Sequence, residues 1–156
     1  MGITLAVVLT LVLVSATVLI HHEVLRGTHR LIPVLSVSPR AKLLVVIGAI
    51  VYAHLVEICV FALAYLLAHD RFGLGSLAGE VSGTWLDFFY FSASTYTTLG
   101  VGDVVPNGPL RIVAGIESLT GLVLIGWSDS YTYLTMQGSW EQRDGANPAA
   151  SGRSVE

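Results

Sequence analysis

The stretch "TTLGVGD", residues 97–103, decides the fold, because it is a polar, glycine-punctuated interruption between long apolar runs. Two hydroxyls, Gly100 and Gly102 at alternate positions, and the carboxylate of Asp103 fall within seven residues. A G-x-G pattern first raises a nucleotide site. The dinucleotide fingerprint needs a preceding strand, a third glycine and a following helix N-terminus. Here the chain runs on into Val105 and Pro106 instead. The stretch "GLGSLAG", residues 73–79, fails the same test.

Backbone geometry gives the alternation another use. Successive carbonyls point to one side only if residues alternate between right- and left-handed dihedrals, and glycine visits the left-handed region at little cost. With Thr98, Leu99, Gly100 and Val101 turned this way, a column of carbonyl oxygens faces one direction, with the Thr98 hydroxyl at its lower end. One column cannot replace a cation's water shell, whereas four around an axis can. A single copy of the motif per chain then requires a homotetramer with cyclic symmetry.

The rest of the chain suits a membrane. Of its 156 residues, 53% are hydrophobic and 12% charged, and the mean hydropathy of +0.71 is too apolar for an ordinary soluble domain. A net charge of -3 with few basic residues argues against a nucleic-acid surface. The lone Cys59 excludes an intrachain disulfide and a CxxC metal site, and reads as a small apolar residue.

Crossing the hydrocarbon takes roughly 20 apolar residues. Three segments approach that length: 3–20, 43–68 and 110–137. The first has no preceding Lys or Arg and no small-x-small site after it, so it reads as a retained span rather than a secretory signal. Between the first two spans, residues 21–42 read as a basic loop carrying Arg26, Arg30, Arg40 and Lys42 against Glu23. The positive-inside rule puts that loop in the cytoplasm, with the N-terminus outside and the C-terminus inside. The aromatic stretch 85–97 is too short to cross, at on the order of 20 Å of helix, and is expected to enter from outside and stop partway. Irregular backbone at membrane depth must be buried in protein or line water, so "TTLGVGD" is expected to border an aqueous path. The tail, 138–156, is polar, rich in small residues and expected to be disordered.

Ionisable groups inside a membrane face partners or water. His54 and Glu57 share one helix face and read as an interhelical pair, incomplete as a metal site. Glu117 is placed to bond His54 or the back of the 85–97 helix. Asp129 either faces the axis, concentrating cations at the inner mouth, or packs with Ser128 or Ser130. Trp127, Tyr131, Tyr133 and Trp140 read as an interfacial belt. His21, His22 and His29 read as solvated loop histidines, with pH sensing as the other reading.

"TTLGVGD", preceded by an aromatic helix and followed by Pro106 and a glycine-punctuated helix, resembles the pore domain of potassium channels, whose filter reads T-V-G-Y-G-D. The similarity covers roughly residues 43–137. It implies an all-α membrane protein with an outer helix (43–68), a re-entrant pore helix (85–97), a filter (98–103) and an inner helix (110–137). Residues 1–42 add a further span and its loop. By resemblance, Thr98, Leu99, Gly100, Val101 and Gly102 take the filter positions, with K⁺ held at the first four, and Asp103 caps the outer mouth. Gly121 falls where the family often has a hinge glycine; close packing is the other reading, shared with Gly115 and Gly126. Val101 stands where the family has tyrosine and Phe91 where it has that tyrosine's tryptophan partner, so both sides of one hydrogen bond are replaced together. Tyr90 aligns with a second tryptophan, and its hydroxyl is placed to reach Asp103. The resemblance implies a homotetrameric channel in the plasma or inner membrane that passes monovalent cations, with K⁺ preferred. A non-selective channel and a non-conducting assembly subunit are the alternatives. No cofactor is expected beyond the permeant K⁺, and no enzyme chemistry. No arginine ladder suggests a gating stimulus.

Overall fold

The computed structural model describes residues 2–145, with side chains through Gln137. Helices α1 (Gly2–Leu31) and α2 (Pro39–Asp70) are followed by strand β1 (Leu77–Gly79). Then come helix α3 (Trp85–Tyr96), strand β2 (Val104–Pro106) and helix α4 (Leu110–Gly145). Helices α1, α2 and the 110–137 part of α4 are each long and apolar enough to cross a membrane. The protein is an all-α membrane protein.

The first helix corrects the expected loop at 21–42. Apolar content ends near Ile20, but the helix does not: α1 runs through Leu31, so the connection to α2 is only residues 32–38. Its buried positions are Ala6, Thr10, Leu13, Thr17, His21, Leu25 and Thr28, a stripe at spacings of three and four. Three of these are threonines whose hydroxyls donate to the carbonyl four residues back, which satisfies them inside the packed face. That stripe packs against α2 and α4. Arg26 and Arg30 lie on the last turns of α1 and Arg40 and Lys42 on the first turn of α2. These four basic residues therefore stay gathered around the connection between α1 and α2.

Ser38 caps α2 by accepting from the Ala41 N–H, and Pro39 opens its first turn. Helix α3 begins at Thr84, where the Asp87 carboxylate reaches back to accept from the Thr84 and Ser82 N–H groups at 2.8 and 2.9 Å. It ends at Tyr96, one residue inside the expected bound, with Thr97 as its cap. Helix α4 continues to Gly145 rather than stopping at 137, since Glu141, Gln142 and Arg143 favour helix. Residues 146–156 of the expected tail, and the Trp140 side chain, lie outside the described residues.

The antiparallel pair β1–β2 matches Leu77 with Pro106, Ala78 with Val105 and Gly79 with Val104. Gly79 has φ +113, and a Cβ there would collide with the Asp103 carbonyl. This bare backbone lets the linker lie against the chain that leaves "TTLGVGD". The core, which includes Phe61, Tyr65, Phe88, Phe91, Tyr96, Leu110 and Val113, sits between α2, α3 and α4.

Candidate ion pathway and its supports

Residues 97–103 follow the carboxyl end of α3 and are exposed in the single chain. Positive φ occurs at alternate positions: Thr98 at 58°, Gly100 at 56° and Gly102 at 88°. The two glycines behave as the sequence reading required. Thr98 is the addition, the one non-glycine residue in this region of φ among those described; residue type gave no sign of it. Open space lies around the Cβ direction of Gly100. Conformation, not crowding, requires glycine there.

Helix α3 anchors the base of this segment. The Thr98 N–H donates to the Thr95 carbonyl at 3.0 Å and the Gly100 N–H to the Ser94 carbonyl at 3.2 Å. The Val101 N–H reaches the Ser94 hydroxyl at 3.4 Å. The last carbonyls of a helix carry partial negative charge, so the end of α3 presents a cation-favouring field to the base of the segment. At the far end of the segment, the Tyr90 hydroxyl donates to Asp103 Oδ2 at 2.8 Å, and Asp103 Oδ1 accepts from the Val104 N–H at 3.0 Å. Phe91 is buried with its ring edge on Tyr65, while the Val101 side chain is 56% exposed.

The back of α3 is held by Glu117 of α4, which is fully buried. Its carboxylate accepts from the Tyr65 hydroxyl of α2 and, at 2.6 Å, from the Ser92 hydroxyl of α3. This is the pore-helix alternative of the sequence reading; the other, a bond to His54, is not made. Ser118 of α4 also donates to the Thr95 carbonyl at 2.9 Å. Gly121 lies against the Tyr96 carbonyl so closely that any Cβ would overlap it. Gly115 and Gly126 meet nothing there. Asp129 is exposed in the single chain.

A second buried polar group joins all four helices. Glu57 Oε1 lies 2.9 Å from His21 Nδ1, and Glu57 Oε2 lies 3.2 Å from His54 Nδ1. The Tyr96 hydroxyl donates to Glu57 Oε2 and lies 2.9 Å from His54 Nδ1. Ser128 Oγ lies between the two imidazoles, 3.1 Å from His54 Nε2 and 3.2 Å from His21 Nε2. His21 and Glu57 have side chains with no exposed surface, and the Trp127 ring stacks on His21. His21 is therefore not a solvated loop residue, because the longer α1 carries it onto the packed stripe. Its place at the four-residue spacing after Thr17 was the available signal. The donor atoms of His21, His54 and Glu57 lie within 4.8 Å of one another, so the pair expected to be incomplete acquires a third member. Tyr96 and Ser128 had no sequence signal.

A family model described as "Ion channel" matches residues 42–137. The chain is 33% identical over 81 residues to the inward rectifier potassium channel Kirbac3.1 of Paramagnetospirillum magnetotacticum, covering 51% of this chain and 26% of that protein. It is 31% identical over 87 residues to the uncharacterized membrane protein YdjJ of Bacillus subtilis (strain 168), covering 55% of this chain and 26% of that protein. The chain thus spans about a quarter of the length of these relatives.

Proposed function

Since the chain belongs to the ion channel family and resembles its potassium channel pore domains, we propose that four copies surround a common axis and conduct K⁺ passively along it. The observation that carries this reading is the alternation of positive φ at Thr98, Gly100 and Gly102 directly beyond the carboxyl end of α3. Such alternation turns successive carbonyls to one side. Thr98, Leu99, Gly100, Val101 and Gly102 then supply oxygens that replace the ion's hydration shell, with the Thr98 hydroxyl lowest. The helix ends of four α3 segments favour a cation below that column. Tyr90 holds Asp103 at the outer mouth, and Asp129 is positioned on α4 to attract cations at the inner one.

The basic ends of α1 and α2 support a reading with their connection in the cytoplasm of a plasma or inner membrane, the N-terminus outside and the C-terminus inside. No catalytic step is assigned to the chain. The test is reconstitution: mass measurement in detergent gives four chains, and liposomes take up K⁺ in a barium-sensitive way. Monomers or dimers without flux would favour a non-conducting assembly subunit, and barium-insensitive flux of K⁺ and Na⁺ alike a non-selective pore.

A further inference from the structure

Five groups close a ring across the four helices: Glu57 to Tyr96, Tyr96 to His54, His54 to Ser128, Ser128 to His21, and His21 back to Glu57. Each of these five contacts needs one hydrogen between two heavy atoms, and a sixth, across the ring from His54 Nδ1 to Glu57 Oε2 at 3.2 Å, can only share a hydrogen on Nδ1. With Glu57 ionised and both imidazoles neutral, Tyr96, Ser128, His21 and His54 supply one each, which makes four. The ring is one hydrogen short. In that state one contact sets two lone pairs against each other in a buried site, an expensive arrangement.

We infer that this ring is a proton-binding site, holding one proton beyond the neutral side chains, and that its occupancy links pH to the packing of α4 on α1 and α2. The added proton makes one imidazole doubly protonated beside the Glu57 carboxylate. His54 Nδ1–H then donates to Tyr96, Tyr96 to Glu57, His54 Nε2–H to Ser128, Ser128 to His21 Nε2, and His21 Nδ1–H to Glu57. Every contact has its hydrogen and the net charge is zero. When the proton leaves, the Ser128 hydroxyl can serve only one of two imidazole lone pairs, so α4 loses a tie to α1 or α2. Tyr96, at the other side of the ring, is the last residue of α3 before the proposed filter.

Among the described residues, the groups facing the ring are its own members together with Trp127. The next acid on α4, Glu117, is bonded to Tyr65 and Ser92, and His22 stacks on Trp127 outside the ring. A metal ion is the less favoured occupant. Two donors about 2.0–2.1 Å from a tetrahedral zinc stand about 3.3 Å apart. His21 Nδ1 and Glu57 Oε1 are closer than that, at 2.9 Å, as are His54 Nδ1 and Glu57 Oε2, at 3.2 Å, and the Tyr96 hydroxyl already bonds both of the latter.

The experiment uses full-length protein in liposomes, in a background where the exposed His22, His29 and His69 are replaced by Gln. Nitrogen-15 NMR of the remaining histidines is followed from about pH 5 to about pH 9, and needs no conduction. The expected result is one doubly protonated imidazole per chain, lost in a single step as pH rises. Glu57→Gln supplies the missing hydrogen from its amide, so it should abolish that signal. The second readout rests on the chain's being a conducting pore: K⁺ flux should change across the same step. Glu57→Gln should hold the flux at its acid value at every pH, and Ser128→Ala at its alkaline value. No doubly protonated imidazole across this range, a signal that survives Glu57→Gln, or a Co²⁺ absorption band that needs both His21 and Glu57 would overturn the inference. Absent flux with the expected NMR step would overturn conduction, not the proton site.

Discussion

At the scale of single residues, the molecule places acids where a particular hydrogen-bond donor waits. Asp87 accepts backbone N–H bonds from Thr84, and then from Ser82, which hold its carboxyl below the ordinary value of 3.8. A depressed carboxyl contributes stability that is complete above its unfolded value and is lost as pH falls through the folded one. The Ser82 and Thr84 amides should therefore keep their exchange protection as pH is lowered to about 4 and lose it only further down. Loss of protection well above pH 4, measured by pulse labelling in bilayers and corrected for intrinsic exchange, would contradict this. Glu117 makes the same point inside the membrane. Ser92→Ala removes one of its two donors in a fully buried place. The expected cost is about 1–3 kcal/mol, read as lower thermal stability in detergent, and an unchanged midpoint would count against the tie.

At the scale of elements, the fit of α4 to the end of α3 depends on a missing side chain. Gly121→Ala places a methyl on the Tyr96 carbonyl, and displacement of one helix or the other should cost about 1–3 kcal/mol. Gly115→Ala and Gly126→Ala enter open space in the single chain. The contrast in thermal stability checks this: if all three variants behave alike, the close approach is not what the glycine serves. What could be read in advance also divides by element. The segment 98–103 and helix α3 were legible because their signals are local: glycines at alternate positions, and an aromatic run with a proline shortly after. The Tyr90–Asp103 bond was implied by the resemblance to potassium channel pore domains, and the tie of Glu117 to α3 was one of two partners expected of it. The end of α1 was not legible from hydropathy, which marks where apolar content stops rather than where backbone hydrogen bonding stops. His21 becomes an interior residue only through α2 and α4, which approach it from about 35 and about 105 positions away in sequence. The β1–β2 pair escaped notice for a similar reason, since three-residue strands carry little periodicity and their register is fixed by contact between Gly79 and Asp103.

At the scale of the whole molecule, the surface is rich in apolar side chains. Large apolar side chains lie exposed along α1, α2 and α4, among them Ile3, Leu11, Leu44, Leu63, Leu119 and Val123. These suit lipid or other copies of the chain rather than water. Leu99 and Val101, within the proposed filter, are 70% and 56% exposed in one chain, as expected of a segment that neighbours complete. Main-chain oxygens do not depend on side-chain identity, so in the proposed filter Val101 still offers its carbonyl, and K⁺ remains the proposed preference. The most direct measurement is the reversal potential across a planar bilayer with K⁺ on one side and an equal concentration of Na⁺ on the other. The account predicts a reversal displaced toward the K⁺ equilibrium by at least about 59 mV, a tenfold preference. A reversal at zero, with robust current, would contradict it.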